Sequence, residues 1–388
     1  MISKLPDVGT TIFTVMSRRA RELGALNLGQ GFPDYDIDPR LTELVAGAMR
    51  SGFNQYAPME GALSLREAIA TKLRLYYGLE RDPHSEITVT LGATEAIYSA
   101  IQAAVGPGDE VIAFDPAYDS YEPAVRLAGA RCIRLPLSQP GFRYDWDRVR
   151  ANVSARTRLI IFNSPHNPAC TAASAADLDA LAAITRTQDT WVLSDEVYEH
   201  VVYDGARHHS VLSHPELAQC SFAVFSFGKT LHATGLRIGY CVAPAPLTHE
   251  LRKVHQFNTF SIAHPLQQAI AGYLGEKPEG ARGLARFFQD KRDRLRAALA
   301  GSGFALPPAQ GTYFQLLDFS ALSQQADLAF AERLLSEAGV ATIPLAPFYE
   351  SPQPLRFVRL CIAKKDATLD EAALRLNRFA QQLKPGAA

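Results

Sequence analysis

Phe222 to Tyr240 reads FAVFSFGKTLHATGLRIGY. The apolar run Phe222 to Phe225 predicts a buried strand that stops at Ser226. Gly228 and Lys229 follow almost at once. A glycine beside a lone lysine at a strand end lets backbone come close to something flat or anionic. Gly235-Leu236-Arg237 then leads into a second apolar strand, Ile238 to Val242. A lysine held between two buried strands struggles to keep its charge, because desolvation lowers its pKa from about 10.4 and yields a free amine. A lysine in an arbitrary loop is ordinarily a solvated surface group. The rest of the chain has to decide between the two.

Working outward, short apolar runs alternate with helical patterns from Glu86 onward. Strands are predicted at Ile87 to Leu91, Glu110 to Phe114, Cys132 to Leu135, Leu159 to Phe162 and Trp191 to Ser194, before the two already named. Helices are predicted at Thr94 to Val105, Tyr118 to Leu127 and 174–187. Seven strands separated by helices predict an α/β fold with a mostly parallel sheet covered on both faces. Before this region lie helical patterns at 10–24, 39–51 and 63–77, with a shaped loop, LNLGQGFPDYDIDP, after the first. After Ala263 the pattern turns helix-rich, with a helix at 285–300 stopped by Gly301. A strand near Tyr313 to Leu317, a helix at 327–338, strands at Val340 to Ile343 and Leu355 to Cys361, and a helix at 367–382 predict a smaller α+β domain. The expected division is an N-terminal arm with part of the small domain (1–40), a large domain (41–283) and a small domain (284–388). The tail Lys384 to Ala388 is expected to be disordered.

Apolar residues make up 47% of the 388, enough for a large core. With 39 basic against 40 acidic residues and no run of one sign, nothing recruits nucleic acid or an anionic membrane. The five cysteines are scattered and never form CxxC, which suits reduced thiols. The N-terminus lacks a signal peptide's apolar core, and no uncharged run is long enough to span a bilayer. The expectation is a soluble, cytoplasmic protein.

In an open parallel sheet, ligands bind beyond the carboxyl ends of the strands. Gly92-Ala93-Thr94-Glu95 follows the first strand and opens a helix whose free N–H groups suit a phosphate. Asn163-Ser164-Pro165-His166-Asn167-Pro168 follows the fourth, a rigid loop able to aim the Asn167 amide into a cleft, although taken alone an Asn bonding its own turn is the favoured reading. Asp195-Glu196-Val197-Tyr198 follows the fifth, and a buried Asp195 requires a partner. Ser226 and Lys229 follow the sixth. One ligand uses all four ends: pyridoxal 5′-phosphate. Its aldehyde takes Lys229, its ring nitrogen needs an anion such as Asp195, its phenolic oxygen accepts from Asn167 and Tyr198, and its phosphate takes the helix start, Ser226 and Arg237. No GxGxxG follows any strand, which counts against a dinucleotide-binding dehydrogenase. The histidines, His208-His209 and His214 among them, lack metal-ligand spacing and are expected to face solvent from loops; no metal is expected.

At these residues the chain resembles the class I pyridoxal-phosphate aminotransferases of fold type I, over nearly its whole length. NSPHNP, SDEVYEH, SFGKTLHATGLRIGYCVAP and VRLCIAKK carry the resemblance. LGQGFPD, NQYAPMEG, LGATEA and DPAYDSY are similar to the branch of methionine aminotransferases and kynurenine/glutamine transaminases. The resemblance implies catalytic roles for Lys229, Asp195 and Tyr198: Lys229 binds the cofactor and shuttles a proton, and Asp195 keeps the ring nitrogen protonated. It implies that Tyr198 and Asn167 bond the phenolic oxygen and that Tyr118 stacks on the ring. Ala93, Thr94, Ser226 and Arg237 would hold the phosphate, with Tyr56 from a second subunit of a homodimer. Arg359 would pair bidentately with the substrate carboxylate while Gly31 closes over it, and Phe260 would reach the neighbour's site. Cys170 stands where the family often has Gly. The implied activity is ping-pong transfer of an amino group to a 2-oxo acid. No second basic residue suits a dicarboxylate, so an apolar or sulfur-bearing donor, methionine first and aromatic donors next, is expected. The rivals are a cysteine-S-conjugate β-lyase with the same cofactor and a non-catalytic cofactor-binding regulator.

Overall fold

A computed structural model describes residues 2–187, 189–351 and 353–383. Seven strands form the central sheet: β1 Ile87–Thr90, β2 Glu110–Asp115, β3 Arg131–Pro136, β4 Thr157–Asn163, β5 Trp191–Asp195, β6 Ser221–Ser226 and β7 Gly239–Val242. Their order is β1-β7-β6-β5-β4-β2-β3. Neighbours from β6 to β3 pair in parallel, and β7 is inserted antiparallel to both β1 and β6. The expected α/β architecture is therefore present, with the mostly parallel sheet that the alternation predicts.

Side chains alternate along each strand and bury on both faces. Val111, Leu159, Ile161, Phe222 and Val224 join one core, while Ile112, Ile160, Phe162, Ala223 and Phe225 join the other. Period-two alternation into two apolar layers is what makes each run continuously hydrophobic.

A second sheet of three antiparallel strands combines β8 Phe314–Asp318, β9 Ile343–Pro344 and β10 Phe357–Cys361 in the order β9-β10-β8. Leu26–Asn27 pairs in parallel with Val340–Ala341, tying the N-terminal segment to this part of the chain. The single strand expected at Val340 to Ile343 is thus two short ones belonging to different sheets. Val340–Ala341 takes its partner from Leu26–Asn27, and Ile343–Pro344 takes its partner from β10.

Helix ends follow local chemistry. Thr11 caps Ile12–Glu22, Asp38 with Pro39 starts Pro39–Arg50, and Gly78 in the left-handed conformation closes Leu63–Tyr77. Helices Trp146–Asn152 and Ala245–Asn258 have no counterpart in the pattern reading, and the helix expected from Tyr118 begins only at Tyr121. Tyr118 is left in the loop above the sheet. The tail Lys384 to Ala388 lies outside the described residues.

Candidate active site

Ala93, Thr94, Tyr118, Asn167, Asp195, Tyr198, Ser226, Lys229 and Arg237 line one pocket, together with Ile97, Asn163 and Val197. All come from beyond the carboxyl ends of the parallel strands or from the helix Gly92–Ala104. The pocket's floor is fixed by the strand ends themselves. Asn163 Nδ2 donates to the Asp195 carbonyl at 2.8 Å, and the Asn167 amide donates to Asn163 Oδ1 at 2.8 Å.

At one end, the helix Gly92–Ala104 begins without a side-chain cap. Gly92 sits at φ +70, and a Cβ there would lie 2.7 Å from Arg237 Nη2. A Cβ on Gly239 would meet Gly92 carbon at 2.7 Å and Ala93 nitrogen at 2.8 Å. Two glycines therefore let a guanidinium and a strand press against bare helical amides. Arg237 itself adopts φ +54, a conformation that costs a non-glycine residue about 1 kcal/mol or more. Strain of this kind is retained where the arginine's position matters.

At the other end lies Asp195. Tyr121 O–H donates to its Oδ2 at 2.6 Å and the Val197 amide approaches Oδ1 at 3.4 Å. Burial raises its pKa against those two bonds. No ion pair among the described residues includes it; its hydrogen-bond partners are Tyr121 and Val197. Lys229 lies between these ends. Burial lowers the Lys229 pKa to about 8, and its Nζ donates to the Tyr313 hydroxyl at 2.8 Å. The amine therefore gives up its proton far more readily than a solvated lysine does.

Arg359, on β10, is 1% exposed and sits with its guanidinium 3.7 Å from the ring centre of Phe314. It donates to Asn167 Oδ1 and, at 3.1 Å, to the Gly29 carbonyl, while its Nε has no partner. No carboxylate pairs with it among the described residues, and burial lowers its pKa. A buried cation in that state calls for an anion from outside. Gly31 joins the site indirectly, through its carbonyl, which accepts from Tyr313 at 2.5 Å. Tyr56 is 81% exposed and, with half-exposed Phe260, stands apart from the pocket, the two rings edge to face at 5.4 Å.

An uncapped helix start with a guanidinium, an amine poised to lose its proton, and a buried carboxylate with no ion pair among the described residues fit the phosphate, aldehyde and ring nitrogen of pyridoxal 5′-phosphate. The model for aminotransferase class I and II matches residues 24–376. The chain belongs to this family. Members use pyridoxal 5′-phosphate, and this aminotransferase does so too. It is 51% identical to a methionine aminotransferase of Escherichia coli strain K12, over 97% of this chain and 98% of that one. The solved structure of YbdL from Escherichia coli, which identified a methionine aminotransferase function, superposes with a TM-score of 0.96 at 50% identity, covering 97% of this chain and 99% of that one. The N-succinyldiaminopimelate aminotransferase of Mycobacterium tuberculosis follows with a TM-score of 0.94 and 39% identity, over 97% and 99%. These likenesses favour amino-group transfer over β-elimination or a regulatory role.

Three residues of the aminotransferase site escaped the sequence reading: Tyr121, Asn163 and Tyr313. Tyr121 lies inside DPAYDSY and Asn163 opens NSPHNP, so each had a signal in a stretch already singled out. One expectation fails outright. His208 is not solvent-facing: its side chain is 4% exposed and its Nε2 lies 2.7 Å from Glu196 Oε2. The buried Glu196 carboxylate needs partners, and His208 is one of them.

Proposed function

We propose that this aminotransferase takes its amino group from an apolar or sulfur-bearing L-amino acid, methionine foremost, with Lys229, Asp195 and Tyr198 as the catalytic groups. When bound, the cofactor supplies an aldehyde to receive the amino group and a ring to draw electrons from the substrate Cα. Arg359 grips the substrate carboxylate in its two-pronged geometry, for which its buried and unpaired state prepares it. Lys229 accepts the Cα proton, and Asp195 holds the ring nitrogen's proton by its charge. Asn167 and Tyr198 donate to the phenolic oxygen, Tyr118 covers the ring, and Ala93, Thr94, Ser226 and Arg237 seat the phosphate. Gly31 covers the carboxylate.

The observation carrying this reading is the convergence of Lys229, Asp195 and Arg237 on one pocket, with the unpaired Arg359 joined to it through Asn167. The donor preference is supported by the Escherichia coli relative named above and by the sequence, in which no second basic residue suits a dicarboxylate. Exposed Tyr56 and Phe260 support a homodimer in which each reaches the neighbouring site. The division at 40 and 283 is part of the same proposal. It is supported by the seven-stranded sheet lying within 87–242 and the three-stranded sheet within 314–361. A soluble cytoplasmic location also belongs here; no helix among the described residues is long and apolar enough to cross a membrane.

The test is a panel of amino donors against several 2-oxo acids, run beside Lys229→Ala. Methionine should lead the panel in kcat/KM, and the variant should lose the visible absorption band and nearly all turnover. An acidic donor leading the panel, or a variant transaminating at the parent rate, defeats the respective half of the proposal.

A further inference from the structure

Tyr313 lies 84 residues beyond Lys229 in the chain, yet its hydroxyl meets the Lys229 amine at 2.8 Å. The same hydroxyl lies 2.5 Å from the Gly31 carbonyl. A carbonyl only accepts, and a phenol has one hydrogen to give. That hydrogen is therefore committed to Gly31, and Tyr313 can meet the amine only as an acceptor. An amine that donates one N–H keeps its lone pair. Had the phenol donated to the amine instead, the lone pair would be occupied.

We propose that Tyr313 is a positioning residue for proton transfer: locked by the Gly31 carbonyl, it holds Lys229 by one N–H bond and leaves the amine's lone pair open to the substrate Cα. The proton leaving Cα lands on that lone pair, giving an ammonium with one more N–H, while the electron pair of the broken C–H bond stays with the substrate. The neighbouring rings keep the phenol in place. Tyr198 packs edge-on against Tyr313 at 5.0 Å, and Phe288 lies 5.6 Å away. A Cβ on Gly31 would come within 3.2 Å of the Tyr313 ring and 2.6 Å of Phe314, so only glycine brings its carbonyl this close. Asp195, Arg237, Arg359 and Cys361 also act on the amine from other elements, and a change at Tyr313 leaves all four in place.

This inference rests on Lys229 being the proton-transferring group. The experiment is Tyr313→Phe in the full-length enzyme, which keeps the ring and its packing. Losing one positioning hydrogen bond should lower kcat about tenfold while the donor KM stays within about twofold. The isotope effect with a donor deuterated at Cα should grow. After the cofactor is removed, the pH midpoint for its recapture, read by absorbance, should fall by about one unit, because the ammonium has lost an acceptor. The proposal is overturned if kcat and the midpoint match the parent, or if kcat falls with the melting temperature while the midpoint stays. Lys229→Ala separates the layers: if that variant keeps transaminating, the underlying assignment fails whatever Tyr313→Phe does.

Discussion

The segment Ser194 to His200 presents carboxylates in two directions, and they are treated differently. Behind the pocket, Glu199 accepts from Lys72 Nζ at 2.6 Å and from the Tyr77 hydroxyl, while Lys72 also donates to Tyr240 at 2.9 Å. Glu196 accepts from Ser194 Oγ at 2.9 Å and the Val211 amide at 3.0 Å, with His208 on its other oxygen. Burial opposes the ionisation of Glu199, yet its partners hold its pKa down to about 2; His200 beside it is kept neutral by burial, near 3. On the pocket side, Asp195 has a phenol and one amide but no ion pair among the described residues, and burial pushes its pKa up. The rear acid is saturated because it holds the fold together. The front acid is short of a partner, and under the proposed function that shortage is where the cofactor's ring nitrogen would sit.

The comparison is open to attack in order of expected effect. Asp195→Asn should cut turnover by roughly a thousandfold, about 4 kcal/mol of lost electrostatic stabilisation. Its melting temperature should hold or rise, since a poorly paired buried charge is gone. A variant that unfolds while the surviving fraction turns over normally would make Asp195 another rear-type acid. Glu199→Gln should show the reverse: about 3 kcal/mol lost in urea unfolding, because Lys72 is left buried without its counter-charge, with donor KM nearly unchanged. Unaltered stability would show that the rear pair is not structural.

The smallest effect is one of pH. Burial lowers Lys229 from 10.5 to about 8, so the folded chain sheds this proton in a window where the unfolded chain still holds it. Stability from this group therefore rises with pH between about 8 and 10.5, and the cost of burying the ammonium is fully felt below 8. Capture of the cofactor by the stripped protein should accelerate through about pH 8 and level off above it. A midpoint near 10.5, read from absorbance time courses, would mean that the pocket does not desolvate the amine.

Much of the front of the site was legible because its residues follow apolar runs directly. Asp195 ends β5, Ser226 ends β6, and Lys229 stands three residues further on, so period-two patterning alone brings them to one edge. The sheet was legible for the same reason. Partnerships made across the chain were not. Tyr313 reaches Lys229 only once the β8 segment has docked, and His208 turns inward only because Glu196 is buried beneath it. Val340 to Ile343 looks like one strand because sequence pattern reports burial and not which neighbour supplies the hydrogen bonds.

Gly92 and Gly239 touch across adjacent strands, yet they flank the first and last strands of the seven in order of synthesis. A nascent chain that stops short of residue 239 already carries Lys229 and Arg237 but lacks the strand that brings Arg237 against the helix start. Under the proposed function, cofactor capture is therefore a readout of whether β7 has slotted home between β1 and β6.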